Sequence, residues 1–170
     1  MVVPKLPTST VYNLPEPLLS TAAPHLTKAQ LTRAAPKLGR SSLDDMAAPR
    51  FETVLPKLTP PQLAEMSADG SNLLPNVPSM TKEQTRGLTV PQLNATLPKM
   101  SSPDLATTVP KLSSKQLGGI NAPAFDAAVP HISASQASST SRNLSPVQVG
   151  ALGAPALAAA LPLINAKQAE

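Results

Sequence analysis

An all-α array of many short helices, wound as a right-handed or irregular α-solenoid, is the fold class that the sequence predicts. Three observations predict it. A phrase of the form proline, any residue, apolar residue, Ser or Thr recurs along the whole chain, as in "PHLTKAQLT" at 24–32, "PKLTPPQLA" at 56–64 and "PKLSSKQLG" at 110–118. The recurrences fall near two spacings, 20 and 12 residues. Finally, 21 prolines in 170 residues cut the chain into pieces of only one to three helical turns.

The register is set by the apolar residue that follows each Pro-X pair. These anchors are Leu6, Leu26, Leu38, Leu58, Met80, Met100, Leu112, Ile132 and Ile164, with Leu144 filling the remaining place. Every long unit holds a second apolar residue seven positions before the next anchor: Leu19, Phe51, Leu73, Leu93, Phe125 and Leu157. Segments of about 12, 13 and 7 residues thus combine into a 32-residue module, inside the range of roughly 20–50 residues that marks solenoids and arrays. A single array over 1–170 is expected, with units at 6–25, 26–57, 58–79, 80–111, 112–143 and an incomplete 144–170.

Each phrase reads as a helix start. In "KLTPPQLAEM", Thr59 is an N-cap, Pro60 stands at the first helical position where its missing N–H is harmless, and Gln62 completes a capping box. Leu58 and Leu63, on either side, have the spacing of a hydrophobic staple. The same grammar gives Leu26/Thr27/Gln30/Leu31, Met80/Thr81/Gln84/Thr85, Leu112/Ser113/Gln116/Leu117, Ile132/Ser133/Gln136/Ala137, Leu144/Ser145/Gln148/Val149 and Ile164/Asn165/Gln168/Ala169. The next proline is expected to stop each helix, because the residue before proline is steered out of the helical region. The pieces "PRFETVLP" at 49–56, "PQLNATLP" at 91–98, "PAFDAAVP" at 123–130 and "PALAAALP" at 155–162 read as short helices with two inward residues, as with Phe51 and Leu55. Helices of this length are marginal alone and must be held by stacking. The register slips by two residues between Leu58 and Leu73, which predicts an irregular loop at 67–72 around Asp69-Gly70.

Composition limits the function. Three aromatic side chains, Tyr12, Phe51 and Phe125, leave no large rings to build a compact core. The net charge of +4 is spread thinly and is compatible with an anionic partner without demanding one. The absence of cysteine excludes disulfides and thiol-based metal or redox chemistry. No apolar run approaches the ~18 residues of a membrane span, and "MVVPKLPTST" does not read as a signal peptide.

No catalytic residue, metal ligand or cofactor site is expected. His25 and His131 occupy the X place of the phrase, which elsewhere is lysine, so they read as exposed surface rather than as a base or a ligand. Asp44-Asp45 reads as solvated surface. The row Lys5, His25, Lys37, Lys57, Lys99, Lys111 and His131 would form a basic ridge for a polyanion such as nucleic acid or an acidic glycan. The plainer expectation is that each cation meets the carbonyl end of a preceding helix. In "PKLSSKQLG" at 110–118, Lys111 alone carries no demanded structural role. "NAT" at 94–96 and "NLS" at 143–145 match N-glycosylation acceptors, a pattern that a Ser/Thr-rich chain meets by chance.

The phrases "LTPPQLAEM" at 58–66 and "LSPVQVGALGAPALAAALPLI" at 144–164 resemble the short-helix repeats of superhelical surface proteins of the mesothelin and stereocilin type. They also resemble the LTxxQLxxL arrays of large bacterial surface adhesins. This resemblance implies an extracellular interaction or structural role and carries over no catalytic or binding residue; the cysteines and aromatics of mesothelin-like domains are missing. The apolar ends, with Leu6 at one and Leu157, Leu161 and Ile164 at the other, predict head-to-tail self-association into a filament, or a place within a longer array. The expected function is therefore a non-enzymatic component of a surface, matrix or filament whose partners are other copies or other proteins, with a cytoplasmic site left open. Polyanion binding along the ridge is the alternative.

Overall fold

A computed structural model of the chain describes residues 6–67 and 72–152. Among the described residues there are fourteen α-helices, eight short 3-10 turns and no strand. The helices are α1 Thr8–Tyr12, α2 Glu16–Ala22, α3 Lys28–Ala34, α4 Arg40–Asp44, α5 Ala48–Val54, α6 Pro60–Glu65 and α7 Leu73–Asn76. They continue as α8 Lys82–Gly87, α9 Val90–Thr96, α10 Ser102–Thr108, α11 Ser114–Gly119, α12 Ala122–Ala128, α13 Ala134–Thr140 and α14 Pro146–Ala151. None exceeds seven residues, so helix propensity alone would leave every one of them frayed.

The helix starts follow the sequence grammar. Complete capping boxes stand at Thr27/Gln30, Thr59/Gln62, Thr81/Gln84, Ser113/Gln116, Ser133/Gln136 and Ser145/Gln148. A further box, Thr89/Gln92, opens α9, where the sequence reading had seen only a proline-bounded segment. The expected box at Asn165/Gln168 lies outside the described residues. The staple partners Leu26 and Leu31, Leu58 and Leu63, and Leu112 and Leu117 are all buried.

The helix ends correct the expectation that proline is the stop. The residue before each of the helix-ending prolines stays helical: Val109 has φ −57 and ψ −40, and Leu55 has φ −45 and ψ −45. The chain instead tightens from α to 3-10 geometry with proline as the second residue of the turn, in Ala23–His25, Ala35–Lys37, Leu55–Lys57, Val77–Ser79, Leu97–Lys99, Val109–Lys111 and Val129–His131. A 3-10 turn asks no N–H of that residue and is a common way to finish a helix. The true break is the anchor itself, extended at ψ 144 for Leu26 and ψ 145 for Leu112, whose N–H closes the turn onto Ala23 O and Val109 O.

Packing joins each helix mainly to one about two helices earlier. Helix α3 lies on α1, α5 on α3, α8 on α6, α13 on α11, and α14 on α12, while α12 also packs on α9. The residues seven before the anchors form the centre: Phe51, Leu73 and Leu93 are wholly buried, with Leu19 and Phe125 close behind. The two phenylalanines are the largest fully buried side chains. Of the irregular 67–72 loop, Ser67 and Asn72 are described, and both are tied to α4. Ser67 donates its N–H and hydroxyl to the Asp44 carboxylate, while Asn72 Nδ2 donates to Leu43 O and Met46 O. Asp44 also pairs with Arg40 at 3.3 Å, so it is a loop anchor rather than merely solvated surface. Asp69-Gly70 lies outside the described residues.

Candidate functional site

The row of cations sits on the 3-10 turns, one residue before each anchor. His25, Lys37, Lys57 and Lys99 are exposed, and the turns carrying Lys37 and Lys57 pack on one another. The Lys37 ammonium stands 4.3 Å from the centre of the Tyr12 ring, with Arg33 at 5.6 Å, a cation–π arrangement that consumes part of its charge locally. His25, Lys57 and Lys99 make no side-chain hydrogen bond or ion pair among the described residues. His131 is half-buried, with Nε2 3.4 Å from Ser102 Oγ. Lys5 and the end residues Leu157, Leu161 and Ile164 lie outside the described residues. Leu6 is partly buried against the core, and its carbonyl accepts from Gln30 Nε2 at 2.7 Å.

Lys111 departs from expectation. It was the residue left without a structural role, yet its Nζ donates to Pro78 O at 2.7 Å and Met80 O at 2.8 Å. Desolvation in this place pushes its ammonium below the ordinary lysine value of 10.5. The reason for this assignment lies in the capping glutamines, which do more than cap.

In each capping box the glutamine Oε1 accepts from the N-cap backbone, leaving the Nε2 amide pointing at an earlier helix. Gln62 donates to Ala35 O and Leu38 O, both at 2.9 Å. Gln84 reaches Leu55 O and Leu58 O at 2.7 and 3.0 Å, and Gln92 reaches Leu63 O and Met66 O at 2.7 and 2.8 Å. Gln116 binds Thr85 O and Leu88 O, Gln148 binds Leu117 O and Ile120 O, and Gln136 binds Val109 O. The accepting pair straddles the last turn of the earlier helix, where carbonyls have no intrahelical partner. One amide therefore satisfies the start of one helix and the end of another.

In two helices whose third position is not glutamine, other groups serve. Arg50 holds that place in α5, and its guanidinium donates to Ala23 O at 2.5 Å and Leu26 O at 2.8 Å. Asp104 holds it in α10 and has no N–H to offer, so the carbonyls at the end of the Val77–Ser79 turn are taken by Lys111 from the far end of α10. The sequence carried a signal for this second duty. Glutamate serves a capping box as well as glutamine does, yet all seven complete boxes use glutamine. Only glutamine brings a donor.

Two of the open grooves among the described residues carry several serines. One, of about 510 Å³, is bordered by Ser20, Ser42, Asp45, Met46 and Arg50; the Ser42 hydroxyl donates to Ser20 Oγ at 2.6 Å across it. The other, of about 540 Å³, is bordered by Lys82, Arg86 and a set of serines on α11 and α13. Among the described residues no three His, Asp or Glu side chains gather as metal ligands, and no helix is long and apolar enough to cross a membrane. Of the glycosylation phrases, Asn94 uses its Oδ1 to accept the Asn121 N–H at 2.8 Å, and Thr96 is buried. Asn143 is exposed.

No protein-family model, curated protein or solved structure matches the chain.

Proposed function

We propose that the chain is a non-enzymatic structural or interaction scaffold. In this reading the short helices stack as an irregular α-solenoid that serves as an extracellular surface, matrix or filament component. One observation carries it: helices too short to persist alone are cross-bonded by side-chain amides that reach 24 to 31 residues back, to the open end of an earlier helix. Such bonding makes each unit depend on its neighbour, the energetic pattern of a repeat array, and it commits most of the recurring phrase to carpentry.

The polyanion reading is weaker, since Lys111 spends its ammonium on two carbonyls and Lys37 lies over Tyr12. Light scattering over a range of concentrations, with particle imaging of the intact chain, tests the proposal. Elongated particles whose mass grows with concentration are expected. A compact particle that stays monomeric at high concentration overturns the filament role, and a circular dichroism spectrum without helix overturns the array itself.

A further inference from the structure

We propose that the groove between α8, α11 and α13 binds a tetrahedral oxyanion, the phosphate or sulfate group of a monoester. The groove measures about 540 Å³ and places Lys82 and Arg86 on one wall against Ser114, Ser135 and Ser139 on the other. Lys82 and Arg86 are four residues apart and so share a face of α8, where two like charges disfavour the helix. Neither is neutralised: the one ion pair among the described residues is Arg40–Asp44, and no acidic side chain borders the groove. Glu83, on the same helix, is exposed and is not among the lining residues. An anion seated between the two cations removes their repulsion and gains charge-assisted hydrogen bonds, with the guanidinium supplying a planar fork and the ammonium a point charge.

The walls are held in place before any ligand arrives. Gln116 Nε2 donates to Thr85 O and Leu88 O, on either side of Arg86, and Gln136 Nε2 fixes α13 to Val109 O. Ser114 Oγ donates to Ser139 Oγ at 3.2 Å, bridging α11 and α13 beside the groove; Ser139 Oγ in turn donates to Gln136 O at 3.0 Å and Ser135 Oγ lies 3.0 Å from Ser133 Oγ, and because both side chains are exposed their hydroxyls can exchange these bonds for charge-assisted ones to an oxyanion. No aromatic ring borders the groove, so a nucleobase has nothing to stack on. None of the Lys/His row lines it either, which makes this site independent of that ridge.

The test is a nuclear magnetic resonance titration of the isotope-labelled full chain with inorganic phosphate and with inorganic sulfate, against chloride at matched ionic strength. Saturable shifts confined to residues 82–86, 113–114 and 133–139 are expected. The double variant Lys82→Ala/Arg86→Ala should weaken binding by about tenfold or more, while Lys57→Ala/Lys99→Ala, which removes equal charge elsewhere, leaves it unchanged. Arg86→Lys keeps the charge and loses the fork, so an intermediate loss is expected in a variant whose fold is not at risk. Parallel titrations with a hexose phosphate ester and a sulfated hexosamine identify which monoester is preferred, and tighter binding of either supports the site. Shifts that never appear, that spread over all lysines, or that fall equally in both double variants overturn it.

Discussion

Replacing Gln92 by Glu separates capping from clamping in a single atom change. Gln92 is 1% exposed; its Oε1 accepts from Thr89 N–H at 2.8 Å, and its Nε2 donates to Leu63 O and Met66 O. If the residue were only a cap, glutamate would serve as well or slightly better, since it completes the same box and puts a negative charge in the first turn. The structure demands the opposite result. The carboxylate loses two donor bonds worth about 1 kcal/mol each and buries an unsatisfied negative charge against two carbonyl oxygens, a further cost of roughly 1–3 kcal/mol that alanine does not carry. The total is about 3–5 kcal/mol at neutral pH, against about 3 kcal/mol for Gln92→Ala, which loses both donor bonds and the cap bond. The expected order is therefore wild type, then alanine, with glutamate equal or worst. Protonation partly rescues the glutamate variant. Burial raises its folded pKa above the unfolded value, so the penalty is absent below the unfolded pKa and grows as pH rises through the interval between the two. Denaturant unfolding of wild type and both variants, followed by far-ultraviolet circular dichroism at acid and neutral pH, reads all of this. A Gln92→Glu protein within about 0.5 kcal/mol of wild type at neutral pH refutes the clamp.

Lys111→Met removes the donor to Pro78 O and Met80 O and should cost about 1–2 kcal/mol at neutral pH. Because the folded pKa of Lys111 lies below 10.5, its contribution is largest above that pH and diminishes as pH falls through the depressed value; unfolding of both proteins at neutral and alkaline pH should show the gap widening upward. Thr108 and Thr140 bury hydroxyls with no hydrogen-bond partner, so Thr108→Val and Thr140→Val should leave stability unchanged or raise it by up to about 1 kcal/mol. A fall in melting temperature for either would show that the hydroxyl is satisfied. A Cβ at Gly118 would overlap the Asn143 carbonyl, whereas one at Gly150 meets open space. Gly118→Ala should accordingly cost about 1–3 kcal/mol and Gly150→Ala gain up to about 1 kcal/mol, a difference of sign that thermal unfolding detects directly.

The local grammar was legible because capping, staples and anchors are properties of adjacent residues: Thr59, Gln62, Leu58 and Leu63 lie within one turn of each other, and their roles need no tertiary knowledge. Proline was misread as a stop because its clash with the preceding carbonyl applies to continued α-helix, and the chain avoids that by tightening to 3-10 geometry at Val109 or Leu55. The clamps were hidden because their acceptors are backbone carbonyls, which leave no letter in the sequence. For the same reason Lys111 looked idle: its role follows from Asp104, seven residues earlier, being unable to donate. The groove at Lys82 and Arg86 was equally out of reach, since α8, α11 and α13 meet only through packing between helices far apart in the chain.

Clamping by a single amide also bears on how such a chain changes length over generations. Gln84, Gln116 and Gln148 stand 32 residues apart, and each reads carbonyls inside the interval that ends with itself. Excision of 85–116 would join Gln84 directly to Leu117, yet Gln148 would still find Leu117 O and Ile120 O where it needs them. Loss of this interval by unequal recombination therefore leaves Gln84 and Gln148 with their acceptors, while Gln136, whose acceptor Val109 O is removed, would meet Val77 O, its equivalent 32 residues earlier. Lineages of this chain are expected to differ by complete intervals, and the stretch between Ser67 and Asn72 is no exception, since Gln84 and Gln92 reach across it to Leu58 and Met66.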